Sequence, residues 1–243
     1  MTTYVLIHGS WHYGELWAPV RRELEARGHE VHTPTCGGLR DGDDPASFDP
    51  ASSRAVIAGY ITAQNLREFV LVGHSGAGGI IMKLAEEFHP RIRRLVFQNA
   101  FVPLDGNAIL DEVDPVIAAE LHKSHAERND GSVVLSLNTW REMFMNDADL
   151  ESATAAYRLL RPHPFKTLTD KVDYSKFYAL ELPRSYLNFL EDNAIGQSEQ
   201  WGWHPRMSSR LGVCRLVQAH GCHEVMLTNP RLLAEKLVEA GRD

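Results

Sequence analysis

The run Val72-Gly73-His74-Ser75-Gly76-Ala77-Gly78 carries the strongest chemical signal in this 243-residue chain. It joins a short apolar stretch, 68–72, to an amphipathic one, 76–88, so the serine falls on a strand-to-helix turn. A sharp turn at that place strains the backbone, lifts the hydroxyl clear of the sheet and accepts only small neighbours. Gly73 and Ala77 fill the two small positions. The helix that follows aims free N–H groups at the site and so favours a developing oxyanion. Such a serine suits nucleophilic acyl transfer, with Ser75 as the attacking group.

A serine hydroxyl needs a base, and that base needs an acceptor on its second nitrogen. Two histidines compete in Ala219-His220-Gly221-Cys222-His223-Glu224, after the last apolar run. His223 leads directly into the entry of a terminal helix and is assigned as the base. His220, nearer the strand end, reads as a turn histidine bonded to backbone. The preceding strand closes on Glu191-Asp192-Asn193, and Asp192 is assigned as the acid because Glu191 points the other way if strand geometry persists. Asp105, in Val102-Pro103-Leu104-Asp105-Gly106, fits a turn better than a catalytic role. Two backbone donors would complete an oxyanion hole: the N–H of Gly76, next to the nucleophile, and that of Ser10, in the loop Ile7-His8-Gly9-Ser10-Trp11. His8 and His74 read as histidines that bond neighbouring loops. Gly73, Gly76, Gly78 and Gly79 do not make a dinucleotide fingerprint, and no Lys-Ser or Lys-Thr follows them, which speaks against a phosphate loop.

The elements that must hold these residues alternate short apolar runs with longer amphipathic ones, the pattern of a parallel sheet with helices on its faces. Strands are expected at 3–7, 30–34, 68–72, 94–99, 184–190 and 213–219, and helices at 15–27, 51–65, 76–88, 197–210 and 229–240. Between 35 and 50, Gly37, Gly38, Gly42, Pro45 and Pro50 exclude either. Residues 105–177 lose the alternation and read as a helical lid inserted between core strands, with no clear buried strand. A core of 1–104 and 178–243 plus this lid makes one domain over 1–243. At 44% hydrophobic and 23% charged, the composition is that of a globular protein without a membrane span. A net charge of −7 argues against a nucleic-acid partner; Arg91, Arg93 and Arg94 read as a solvated corner. Cys36, Cys214 and Cys222 fit neither a disulfide framework nor a zinc motif, so reduced thiols, no metal, no cofactor and a cytoplasmic location are expected.

Taken together, Ile7-His8-Gly9-Ser10-Trp11, Trp17, Leu24, Gly28-His29-Glu30-Val31, the serine turn, Phe101-Val102-Pro103, Leu160-Arg161-Pro162 and the His223 loop resemble the α/β-hydrolase superfamily, in particular the plant methyl esterase and hydroxynitrile lyase group and its small bacterial relatives. The resemblance implies an α/β-hydrolase fold and the chain order Ser75, Asp192, His223 for a catalytic triad. It implies a small ester as substrate. The lyases of that group carry Thr after the loop histidine and Lys after the catalytic one, where this chain has Gly9 and Glu224, so a carboxylic ester hydrolase is the leading expectation. A cofactor-free lyase or dioxygenase using the His223 and Asp192 pair as base is one alternative; a ligand-binding homologue of low turnover is another. Gly9, Trp11, Trp140 and Phe144 are the candidate substrate contacts, for an aromatic or alkyl ester. A homodimer is left open.

Overall fold

The computed structural model describes residues 1–196 and 200–243. Among the described residues eight strands occur in chain order: β1 (Thr3–Ile7), β2 (Glu30–His32), β3 (Phe69–Ser75), β4 (Ile92–Ala100), β5 (Ser132–Val133), β6 (His163–Pro164), β7 (Arg184–Phe189) and β8 (Arg215–Ala219). Six form one sheet, ordered β2-β1-β3-β4-β7-β8 with every pair parallel. A parallel strand covered on both faces reads as a continuous apolar run, and all seven residues of β3 are buried. Helices α1 (Ala18–Glu25), α2 (Pro50–Ala63), α3 (Ala77–Phe88) and the terminal helix Pro230–Gly241 cover the sheet. Helix α3 buries Ile81, Leu84, Ala85 and Phe88, the spacing of one helical face. One apolar cluster runs through α2, α3 and the inserted segment; a second packs α1 and the terminal helix on the opposite face.

Most of the expected core elements are present, with edges moved by local chemistry. The expected helix 15–27 opens as a tight turn at Gly14–Trp17 and becomes α-helical from Ala18, with Pro19 in its first turn. Gln197–Glu199, at the start of the expected helix 197–210, lie outside the described residues; beyond them only Arg206–Ser209 is helical. Gly202 and Pro205 are poor interior helix residues, which accounts for the short element.

The segment between β4 and β7 is mainly helical, including α4 (Pro115–Arg128) and Leu150–Tyr157. It also holds a buried two-stranded ribbon, β5 against β6, antiparallel through Ser132↔Pro164 and Val133↔His163. That ribbon was not expected: two residues per strand are too few to show alternation. Glu112, almost wholly buried, ties the start of this segment to Arg206 at 2.6 Å and Arg210 at 2.9 Å. Among the described residues no helix is long and apolar enough to cross a membrane.

Candidate active site

Ser75 closes β3 with φ at +54°, a left-handed conformation that a non-glycine residue adopts only under constraint. The register of β3 on β4 shifts between His74 and Ser75, and the Phe101 N–H donates to the Ser75 carbonyl at 3.1 Å, so the turn is held from the neighbouring strand. The small residues around it are required by contact. A Cβ on Gly73 would meet Ile81 Cδ1 at 2.9 Å, and one on Gly78 would sit 1.8 Å from the Phe101 carbonyl oxygen. A Cβ on Gly9 would approach Ser75 Cβ at 2.8 Å, so Gly9 is small because the loop after β1 lies directly against the serine.

His223 and Asp192 come together as expected: His223 Nδ1 and Asp192 Oδ2 are 2.6 Å apart, both buried, and Asp192 Oδ1 accepts the Ala194 N–H at 2.9 Å. Asn99 positions the acid's strand. It bridges β4 to the end of β7 through the Phe189 N–H and C=O, where those strands diverge. The His223 ring stacks on Trp203 (5.5 Å between centroids, 9° between planes) and meets the edge of Phe144 at 5.0 Å. Burial alone would depress its protonation; the charge and hydrogen bond of Asp192 outweigh this, Glu224 adds to them, and the imidazole is held above its ordinary value. His220 instead pairs with Glu191 at the surface, its side chain 85% exposed, rather than with backbone. Asp105 accepts the Tyr174 N–H at 2.7 Å, a turn role.

The loop after β1 is braced by three histidines whose partners fix their protons. His8 Nε2 accepts the Cys36 N–H at 3.0 Å, so its Nδ1–H is free to donate to the Gly9 carbonyl at 2.9 Å. His163 Nδ1 accepts the Trp11 N–H at 3.3 Å, while its Nε2–H donates to Thr167 Oγ1, whose own proton goes to Pro164. Desolvation pushes both rings down to about 3, so they are neutral. His12 Nδ1 lies 2.6 Å from the Ser10 carbonyl and its Nε2 2.9 Å from Glu224 Oε2. His74 Nε2–H donates to the His223 carbonyl at 3.2 Å, and desolvation keeps that ring neutral as well. A Cβ on Gly76 would meet Ser10 Oγ at 2.6 Å and Ser10 N at 3.7 Å, so the residues of the two candidate oxyanion donors lie against each other.

Two cavities meet at Ser10. One is lined by Ser75, Trp11, Phe101, Phe144 and residues of the inserted segment such as Val113, Leu121 and Leu135. The other has Gly9, Gly76, His8, His163, Lys83 and Tyr174 on its walls. Of the four expected substrate contacts, Trp11 and Phe144 line the first cavity and Gly9 the second. Trp140 lines neither: it is fully buried behind Phe144, stacked on it at 5.7 Å, with its N–H donated to Ala153. The fold also gathers nitrogen and oxygen atoms of His74, His223 and Glu224 within 4.8 Å, which linear spacing did not reveal. His223 Nδ1, Glu224 Oε2 and His74 Nε2 are each bonded inside the protein, while His74 Nδ1 and Glu224 Oε1 have no protein partner among the described residues.

A family model described as alpha/beta hydrolase family matches residues 4–236. The chain belongs to the alpha/beta hydrolase family. Among solved structures it is similar to one described as an extracellular alpha/beta-hydrolase from a Paenibacillus species with structural and functional homology to tobacco salicylic acid binding protein 2, at 36% identity and a TM-score of 0.96 over 100% of both chains. A carbendazim hydrolyzing esterase of Nocardioides is 34% identical over 112 residues, 45% of this chain and 46% of that protein, so the match spans about half of that relative. An alpha-hydroxynitrile lyase of Arabidopsis thaliana is 27% identical over 257 residues, 99% of this chain and 97% of the lyase, and methylesterases of the same plant match too. This alpha/beta hydrolase is therefore an enzyme, of the esterase type.

His12, His163 and Trp203 were not singled out from sequence. Their partners lie 212 and 152 residues away for the first two, and the Trp203 stack spans two loops, so no local pattern marks them.

Proposed function

We propose that this hydrolase cleaves a small carboxylic ester through an acyl-enzyme on Ser75. The observation that carries the reading is the buried His223 and Asp192 pair, packed through Phe144 against the apolar cavity that Ser75 lines. In this reading Ser75 Oγ attacks the ester carbonyl carbon and His223 Nε2 takes the proton. The N–H groups of Ser10 and Gly76 hold the tetrahedral oxyanion. Collapse breaks the carbon–oxygen bond to the alcohol, which leaves with the proton from His223; water, deprotonated by the same ring, then releases the acid. The apolar lining suits an alkyl or single-ring group on one side of the ester, and the cavity with His8, His163 and Lys83 receives the other side. Residues 105–177 serve as the lid that shapes this chamber. A panel of aryl, alkyl and methyl esters, with Ser75→Ala as control, tests the reading; comparable turnover by the variant overturns it.

The full-length similarity to an alpha-hydroxynitrile lyase gives a second reading, cleavage of a cyanohydrin. The sequence argument against it is that Gly9 and Glu224 stand where the lyases carry Thr and Lys. In the structure one Glu224 oxygen is bonded to His12 at 2.9 Å, so part of that carboxylate is already engaged. The remaining argument is that Glu224 supplies no cation to stabilise a leaving cyanide, and the ester reading stands on that and on Gly9.

The reading keeps a cytoplasmic location on the three unpaired thiols, Cys36, Cys214 and Cys222. Because the Paenibacillus neighbour is described as extracellular, fractionation of the host cell is the deciding measurement.

A further inference from the structure

Glu224 has no exposed surface, and its Oε1 lacks a protein partner among the described residues. Its other oxygen meets only His12, whose second nitrogen faces the Ser10 carbonyl. A carbonyl accepts and never donates, so His12 Nδ1 carries a proton. A carboxylate also only accepts, so the 2.9 Å contact to Nε2 is a hydrogen bond only if a second proton lies between the two groups. Whether that proton resides on imidazole or carboxyl, the pair holds one more than a neutral imidazole and a carboxylate do, and its net charge is zero.

We infer that Glu224 and His12 share this proton and act together as positioning residues for the oxyanion loop. The effect reaches the reacting region through the planar peptide: holding the Ser10 carbonyl orients the Ser10–Trp11 unit, whose N–H His163 holds from the other side. His8 holds the Gly9 carbonyl in the same way, and the trans geometry of that peptide aims the Ser10 N–H in the opposite direction. Trp11 accepts a left-handed φ of +64° at the end of this loop, so the brace opposes a local tendency to relax. The titratable groups around the pair are His74 and His223, with Asp192 behind the latter, Cys222 on the Glu224 side, and His8 and His163 on the His12 side.

The inference rests on the Ser75 ester reading and is separable from it. Glu224→Gln can donate an amide N–H to a neutral His12, which keeps the geometry without a titrating proton; Glu224→Leu can do neither. Steady-state kinetics on a chromogenic aryl ester are expected to show kcat down roughly 10- to 100-fold in Glu224→Leu with KM within about threefold, and most of the loss recovered in Glu224→Gln. The wild-type kcat is expected to fall at alkaline pH as the pair loses its shared proton, and that fall to move to higher pH or vanish in Glu224→Gln while the acid limb remains. An unchanged alkaline limb in Glu224→Gln overturns the shared proton, and a kcat loss in Glu224→Gln equal to that of Glu224→Leu overturns the positioning role. If Glu224→Leu does not fold, the pH profile of Glu224→Gln decides alone. Activity that survives Ser75→Ala refutes the ester reading instead, and is read in the same assay.

Discussion

Ser75 sits in a backbone conformation that costs about 1–3 kcal/mol, and the surrounding contacts keep it there. Gly9 and Gly73 lie against the turn with no room for a side chain, which makes two residue-level expectations sharp. Ser75→Ala and His223→Ala should each lower kcat roughly a thousandfold or more, and the double variant little further, because both act in one step. Additive losses in the same assay would show that they do not. His220→Ala, at an exposed pair with Glu191, should cost less than about tenfold. Gly9→Thr should lower ester turnover about tenfold or more, since its Cβ would displace Ser75 itself, and the natural protein should give no measurable cyanohydrin cleavage. Unchanged turnover in Gly9→Thr, or cyanohydrin cleavage at a rate near ester turnover, contradicts the ester assignment. Ser75, His223 and Asp192 could be named as candidates at this scale because a serine flanked by small residues and a loop histidine need only local context. The role of Glu224 was not, because its partner is 212 positions away.

The elements around the site are tied together by buried polar groups, and these give the fold a pH dependence. The lid segment 144–147 clasps both loops of the His223 and Asp192 pair: the Phe144 carbonyl accepts the Glu224 N–H, Asn146 donates to the Glu191 carbonyl, and Asp147 accepts the Cys222 N–H. His8 and His163 are neutral in the fold, down at about 3, whereas an unfolded histidine titrates near 6.5. Between those values only the unfolded chain takes up the protons, so stability falls as pH drops from about 6.5 toward 3, by roughly 1.4 kcal/mol per pH unit for each ring. Urea melts at pH 7, 6 and 5 should show this slope, and His163→Gln should flatten it. A stability flat between pH 7 and 5 would mean that these rings are not buried neutral. Strands and helices of the core were legible from their periodicity. The ribbon of β5 and β6 and the shortened helix at Arg206–Ser209 were not, because two- and four-residue elements are set by tertiary contact rather than by pattern.

For the whole molecule, the parallel sheet places β3 and β4 at its centre, and the loops after β1, β3, β7 and β8 converge on one end, where Ser10, Ser75, Asp192 and His223 meet the lid. Ligand sites of open parallel sheets lie at the carboxyl ends of the strands, which is where both cavities are found. The alternation of apolar runs made this architecture readable. The shape of the chamber was not readable, because its walls come from lid residues as far apart as Ile109 and Leu168. Trp140, an expected contact, was misplaced for that reason: spacing alone does not separate a lid's inner surface from its own core. Since the proposed serine mechanism uses no metal, full activity is expected in EDTA; loss restored by added zinc, held by His74, His223 and Glu224, would replace it with a metal-dependent one.

The central claim is a covalent acyl-enzyme on Ser75. Rapid mixing with an aryl ester, followed by acid quench and peptide mass analysis, tests it most directly. The account expects a burst of phenol equal to the enzyme concentration and an acyl group on the peptide carrying Ser75, both absent in Ser75→Ala. Steady turnover by Ser75→Ala at a rate near that of the natural protein, or an acyl group found on another residue, would contradict it.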